Sequence, residues 1–249
     1  MDDGLSPEGD ATGDEHAMRT PEIRTYRSTV ELRAAKSEDS VGTLFGYAAK
    51  FNKLSRNLGG FVETIAPEAF NKSIADGVRV MCRYNHEVLI ATTDAGTLRV
   101  WVDEVGLPYE VDLPDTTAGR DLAVMTKRQD VRHSSFAFLT PPNGDEWSLT
   151  ESDFPLRTLR SVQLVDVAPV DDPAYLDTSS GLRSLAEARG LDFARVQAAA
   201  AANDLRALLK AGVMPEDNLP SEVVTDETPS VPVRSLDVMR NRLELLRIR

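Results

Sequence analysis

Apolar and polar residues alternate along much of the first 180 positions, and the spacing predicts strands rather than helices. Thr25 to Arg33 alternates with period two, as a half-buried strand does, and Thr43 to Ala48 and Phe61 to Ile65 repeat the pattern. Pro67 then precedes Phe70 and Ile74, four residues apart, which predicts a short helix with proline in its first turn. Val78 to Tyr84 reads as a strand leading to Asn85 and His86. Gly96 to Asp103 and Leu107 to Leu113 form a hairpin across the turn at Glu104 to Gly106. Ser135 to Leu139, Glu146 to Leu149 and a long run from Leu159 to Val170 are strand-like as well. Short strands with turn signals about every ten residues predict a β-barrel or sandwich.

Past residue 180 the texture changes. Leu185 to Lys210 is rich in alanine, leucine and arginine and contains five consecutive alanines, Ala198 to Ala202, which predicts a helix that Gly212 would end. Pro215, Pro220, Pro229 and Pro232, interleaved with acidic residues, read as a solvated linker. The end is basic and amphipathic, with Met239, Leu243 and Leu246 forming one stripe. At the other terminus, Asp2, Asp3, Glu8, Asp10, Asp14 and Glu15 stand among almost nothing apolar, too little to offset the entropy of ordering. The expected organisation is an acidic tail over 1–20, a β-domain over 21–180, a helical extension over 181–213, a linker over 214–234 and an amphipathic tail over 235–249.

Composition narrows the function. The 249 residues suit one or two domains. With 28 basic and 40 acidic residues the formal charge is -12, which argues against broad attraction to nucleic-acid phosphates or anionic membranes. Cys82 is the only cysteine, so an internal disulfide and a thiolate-rich metal site are excluded. Asp171, Asp172 and Asp177 lack the spacing of a calcium loop, and neither a metal nor a cofactor is expected. No apolar run reaches the roughly 20 residues that span a bilayer, and the start lacks the pattern of a secretory signal, so a cytoplasmic setting is expected.

Three histidines limit the search for a general base. His16 lies in the acidic tail, His86 at the end of a predicted strand, and His133 in a polar run before an apolar one; the last two stand as candidates, against the plainer reading of ordinary surface imidazoles. Ser134 and Ser135 precede Phe136-Ala137-Phe138, where a hydroxyl could be a nucleophile or simply close a strand end. Asp166 is unusual, a carboxylate inside the apolar run Val162 to Val170, where burial is costly without a partner. It is either on a strand edge facing water or orienting a histidine. The chain has no G-x-S-x-G elbow, phosphate loop, dinucleotide fingerprint or H-E-x-x-H pattern.

Six short segments in order resemble the prohead maturation proteases of tailed bacteriophages, a family similar in fold to the herpesvirus assembly protease. They are Gly46 to Asn52, Gly60 to Phe70, Asn85-His86, Gly96 to Val100 with Gly106-Leu107, Ser135 to Phe138, and Asp166 to Tyr175. The resemblance implies an α+β fold, mainly an antiparallel β-barrel with a few flanking helices, and a serine protease with His86 as base and Ser135 as nucleophile. Asp166 stands where the family usually has a glutamate, and is implied as the third member; Ala168 replaces the family's usual serine. Backbone N–H groups near Ser135, or a water held by Arg157 or Arg160, would serve the oxyanion. The implied setting is the assembling procapsid in the host cytoplasm. There the substrates are the scaffold, the scaffolding domain of the major capsid protein, and the chain itself. Monomer, homo-oligomer and many confined copies all fit. The competing expectation is a non-enzymatic capsid scaffold, suited to the acidic charge and the alanine-rich helix but not to the ordered histidine, serine and buried carboxylate.

Overall fold

A computed structural model of the chain describes residues 20–171 and 179–210. The acidic tail, the Asp172–Asp177 turn, the proline-rich linker and the amphipathic end lie outside the described residues. Twelve strands and five helices are present among those described. In chain order they are β1 (Glu22–Tyr26), β2 (Glu31–Arg33), β3 (Ser40–Lys50), β4 (Val62–Ile65), α1 (Asn71–Ala75), β5 (Met81–Tyr84), β6 (Val88–Thr92), β7 (Leu98–Val100), β8 (Gly106–Pro114), α2 (Thr117–Arg128), β9 (His133–Leu139), β10 (Asp145–Leu149), β11 (Pro155–Leu159), β12 (Gln163–Val170), α3 (Ser179–Arg189), α4 (Phe193–Ala201) and α5 (Leu205–Lys210).

The mixed α+β character, strand-rich with a few helices, agrees with the expectation. Among the described residues the strands form three sheets rather than one closed barrel: β1-β9-β12-β5-β6, β10-β11-β4 and β2-β3-β8-β7. Most neighbours are antiparallel, but β12 runs parallel to β5 and β11 parallel to β4.

Two predicted strands are each divided. The run from Thr25 to Arg33 supplies β1 and β2 to different sheets, because the Ser28 N–H turns back on the Tyr26 carbonyl at 2.9 Å while the Ser28 hydroxyl donates to the Tyr47 carbonyl at 2.9 Å. The run from Leu159 to Val170 breaks where the N–H groups of Arg160 and Ser161 both donate to the Gly144 carbonyl, each at 2.8 Å. Two elements that periodicity did not reveal are β6 and α2. Thr116 caps α2, its hydroxyl accepting from the Gly119 N–H, and Gln129 ends it in the left-handed conformation.

Inward alternation on β3, β8, β9 and β12 builds one core, centred on Leu44, Tyr109, Phe136, Phe138 and Val167. Phe136 meets Phe70 edge-on and stacks on Phe138, with ring centroids 5.5 and 5.0 Å apart. Close approach explains two motif glycines. A Cβ on Gly46 would stand 2.9 Å from the Ser134 hydroxyl, and one on Gly106 would strike the Ala49 carbonyl oxygen at 2.0 Å. The alanine-rich segment is not one helix but α4 and α5, preceded by α3. Gly190, at φ +60°, and the Asp192 cap separate α3 from α4. These helices bury Leu182, Leu185, Val196 and Leu205 against Phe61 and Trp147 in a second core. No helix among the described residues is long and apolar enough to cross a membrane.

Candidate active site

The five-stranded sheet brings together His86, Ser135 and Asp166 from three separate segments. β12 lies between β9 and β5, so a side chain on it has neighbours from both. In the β12–β9 pairing Val165 is bulged out between Leu164 and Asp166, which turns Asp166 to the face opposite the core residues Leu164 and Val167. Asp166 is therefore on an inner strand and 3% exposed, not on an edge facing water. On β9 the Ala168–Ser135 pairing puts the serine on that same face, one step along.

His86 arrives by a tight turn. β5 and β6 pair antiparallel, and the Glu87 N–H closes the connection on the Tyr84 carbonyl at 3.0 Å. Asn85 and His86 occupy the two central positions at φ +52° and +61°, as a type I′ turn demands. Asparagine tolerates this region well and histidine less so; a non-glycine residue there costs on the order of 1–3 kcal/mol and persists only when its surroundings hold it. Here the Asn85 N–H donates to the Pro169 carbonyl at 3.1 Å and the Asn85 side-chain oxygen accepts from the Asp171 N–H at 3.2 Å. The turn is thereby tied to the end of the strand that carries Asp166.

Three side chains form a chain of hydrogen bonds. His86 Nδ1 lies 2.7 Å from Asp166 Oδ1, and His86 Nε2 lies 2.7 Å from Ser135 Oγ. A carboxylate on Nδ1 holds the proton there and leaves the Nε2 lone pair facing the hydroxyl, so the imidazole can accept the hydroxyl proton. The Arg24 carbonyl, 3.0 Å from Ser135 Oγ, is a second acceptor within reach of its one proton, and Oγ accepts from Thr25 Oγ1 at 3.2 Å. Cys82 lies on the core side of β5, and burial together with the charge of Asp166 pushes its thiol pKa well up, so it is no rival nucleophile.

The remaining candidates go elsewhere. Ser134 faces the core, 3.0 Å from the Tyr109 hydroxyl. His133 opens β9 opposite Val170. Arg160 is exposed and pairs with Glu68 and Glu146. Arg157 is fully buried in an ionic network between sheets: it bonds Glu22 at 2.6 Å, Glu63 at 3.0 Å, Asp145 at 2.5 Å and the Thr140 hydroxyl at 3.1 Å. Arg24 completes the network, bonding Glu22 and Glu63 at 2.8 Å each. Burial disfavours the charge of Arg157, but Glu22, Glu63 and Asp145 outweigh it and raise the pKa.

Sequence reasoning missed Thr25, Arg24 and this network. The only signal was charged residues at Glu22, Arg24, Glu63 and Arg157 on the inward alternation of strands.

The family described as caudovirus prohead serine protease matches residues 28–191. Among solved structures, the capsid assembly protease gp21 of bacteriophage T4 is similar at 11% identity, covering 62% of this chain and 100% of that one, with a TM-score of 0.39, a likeness too remote to bear on residue roles. No curated protein matches.

Proposed function

We propose that this chain, which belongs to the caudovirus prohead serine protease family, is an endopeptidase that uses Ser135, His86 and Asp166 to cut scaffold or capsid polypeptide inside the assembling procapsid. The observation that carries this reading is the pair of 2.7 Å contacts on the two ring nitrogens of one imidazole. His86 Nε2 takes the proton of Ser135 Oγ as that oxygen bonds to a peptide carbonyl carbon. The carbonyl π pair moves onto oxygen, and collapse of the tetrahedral adduct expels the amine, which collects the proton from Nε2. Water then repeats the steps on the acyl-enzyme. Asp166 remains ionised, fixing the tautomer and stabilising the imidazolium. Ser135 is fully buried while the His86 side chain keeps 11% of its surface, which makes the imidazole the most exposed of the three groups to an approaching peptide.

Substrates follow from the family setting: the scaffold, or the scaffolding domain of the major capsid protein, and the chain itself, all confined with the enzyme in the shell within the host cytoplasm. The linker over 214–234 and the amphipathic end over 235–249 suit a tether to scaffold that self-cleavage releases, with effective concentration set by linker length. Co-expression with the major capsid and scaffold proteins of the same phage tests the reading. Cleaved products with the wild type and full-length polypeptides with Ser135→Ala support it. Equal processing by both contradicts it and leaves a non-enzymatic assembly role.

A further inference from the structure

An acyl-transfer site needs a hydrogen-bond donor where the carbonyl oxygen gains its negative charge. The N–H groups next to the nucleophile and two of the arginines are already committed. β9 is paired along both edges, by β1 and by β12, so the N–H groups flanking Ser135 are committed to ladder bonds. Arg157 is consumed by the buried network, and Arg160 by surface carboxylates. Arg83, two residues beyond Met81 on β5, bonds the Met81 sulfur at 3.2 Å through one terminal nitrogen, and its buried Nε has no hydrogen-bond partner.

One side-chain donor already bonds the nucleophile oxygen. Thr25 is directly opposite Ser135 in the β1–β9 pair, so the two side chains share a face, and Thr25 Oγ1 donates to Ser135 Oγ at 3.2 Å. We propose that the Thr25 hydroxyl is a catalytic donor, bonded to the nucleophile oxygen at rest and passed to the oxyanion as the tetrahedral adduct forms. The inference rests on the serine protease reading above. At rest the hydroxyl of Ser135 carries one proton with two acceptors in reach, His86 Nε2 and the Arg24 carbonyl, while Thr25 fills an oxygen lone pair. When Oγ bonds to the carbonyl carbon, its proton passes to Nε2 and the carbonyl π pair becomes a full charge on the neighbouring oxygen. That oxygen is attached to the same carbon and lies within a rotation of the same threonine hydroxyl. The stronger acceptor then takes the bond. β1 is fixed for this purpose by Arg24, whose guanidinium is anchored on Glu22 and Glu63.

A fluorophosphonate–rhodamine probe tests this without knowledge of the cleavage site. Oγ displaces fluoride from phosphorus, the proton passes to His86, fluoride leaves, and the adduct carries oxygen where the oxyanion would be. Full-length wild type, Thr25→Val and Thr25→Ser are compared by second-order labelling rate and thermal midpoint. Valine keeps the shape and loses the donor; serine keeps the donor. The expected result is a fall of about 100-fold for Thr25→Val, the lower end of the effect of removing an oxyanion donor, with Thr25→Ser within about threefold of wild type. Should valine prevent folding, Thr25→Ala is read in its place. Wild-type labelling in Thr25→Val overturns the proposal, as does an equal fall in the valine and serine variants, which would assign the effect to packing. Both outcomes leave the protease reading intact; folded wild type that does not label at all contradicts that reading and this inference together.

Discussion

Ser134 and Ser135 are adjacent on β9 yet belong to different chemistry: Ser134 Oγ lies 3.0 Å from the Tyr109 hydroxyl in the core, and Ser135 Oγ lies 2.7 Å from His86 Nε2 on the opposite face. The period-2 pleat separates them. The expected consequence is that Ser134→Ala leaves cleavage of co-expressed capsid protein intact while lowering stability by about 1–3 kcal/mol, since the buried Tyr109 hydroxyl loses its partner. Ser135→Ala should do the reverse, and urea unfolding alongside a cleavage gel distinguishes the two.

Asp166→Asn should fold with little change, because the amide fits the same bulge, but it would present Nδ1 with a group that no longer enforces the tautomer. A loss of about 10⁴-fold in turnover is expected by analogy with other triads. A variant within tenfold of wild type would show that His86 is oriented by its strained turn alone.

How much of this was visible in the sequence depends on the kind of signal. Asp166 stood out because a carboxylate in an apolar run demands a partner, and the structure supplies one in His86. His86 itself was legible only as one of two candidates until the motif order favoured it. That order could not show how Asn85 and His86 hold positive φ, nor that the Pro169 and Asp171 backbone groups anchor the turn. Thr25 carried no signal, since its role depends on β1 pairing with β9 about 110 residues away. Periodicity also could not mark the break between β11 and β12, which arises from one carbonyl, that of Gly144, accepting two N–H groups. Helix α2 escaped because its buried residues, Gly119, Leu122 and Thr126, include only one large apolar side chain.

Arg157 is fully buried and bonded to three carboxylates, so removing its charge leaves Glu22 and Glu63 sharing Arg24 as their one cation and takes from Asp145 its bonded guanidinium. Arg157→Met should cost about 3–5 kcal/mol or prevent folding. Arg157→Lys keeps the charge but not the planar fork and should lie between. Thermal unfolding provides the measurement, and a midpoint unchanged in Arg157→Met would contradict the structural role.

The same network predicts acid sensitivity. Burial pushes the Glu22 carboxyl pKa up, but the charge and hydrogen bond of Arg157, then Arg24 and Thr140, more than reverse this and hold it below its ordinary 4.5. The folded state therefore binds this proton less readily than the unfolded chain. Its contribution to stability is complete above the ordinary value and is lost as pH falls below it toward the folded pKa. Urea unfolding between about pH 3 and 6 should show wild-type stability falling on acidification, and Glu22→Gln, less stable at neutral pH, should fall less steeply. Parallel curves would assign the acid sensitivity to other carboxylates.

Mass spectrometry of the folded, full-length chain after fluorophosphonate treatment most directly tests whether these three residues form a working site. The account predicts a single phosphonyl adduct on the peptide bearing Ser135, placed by fragmentation on that residue and abolished in His86→Ala. An adduct on Ser134, or labelling that survives the loss of His86, would contradict it.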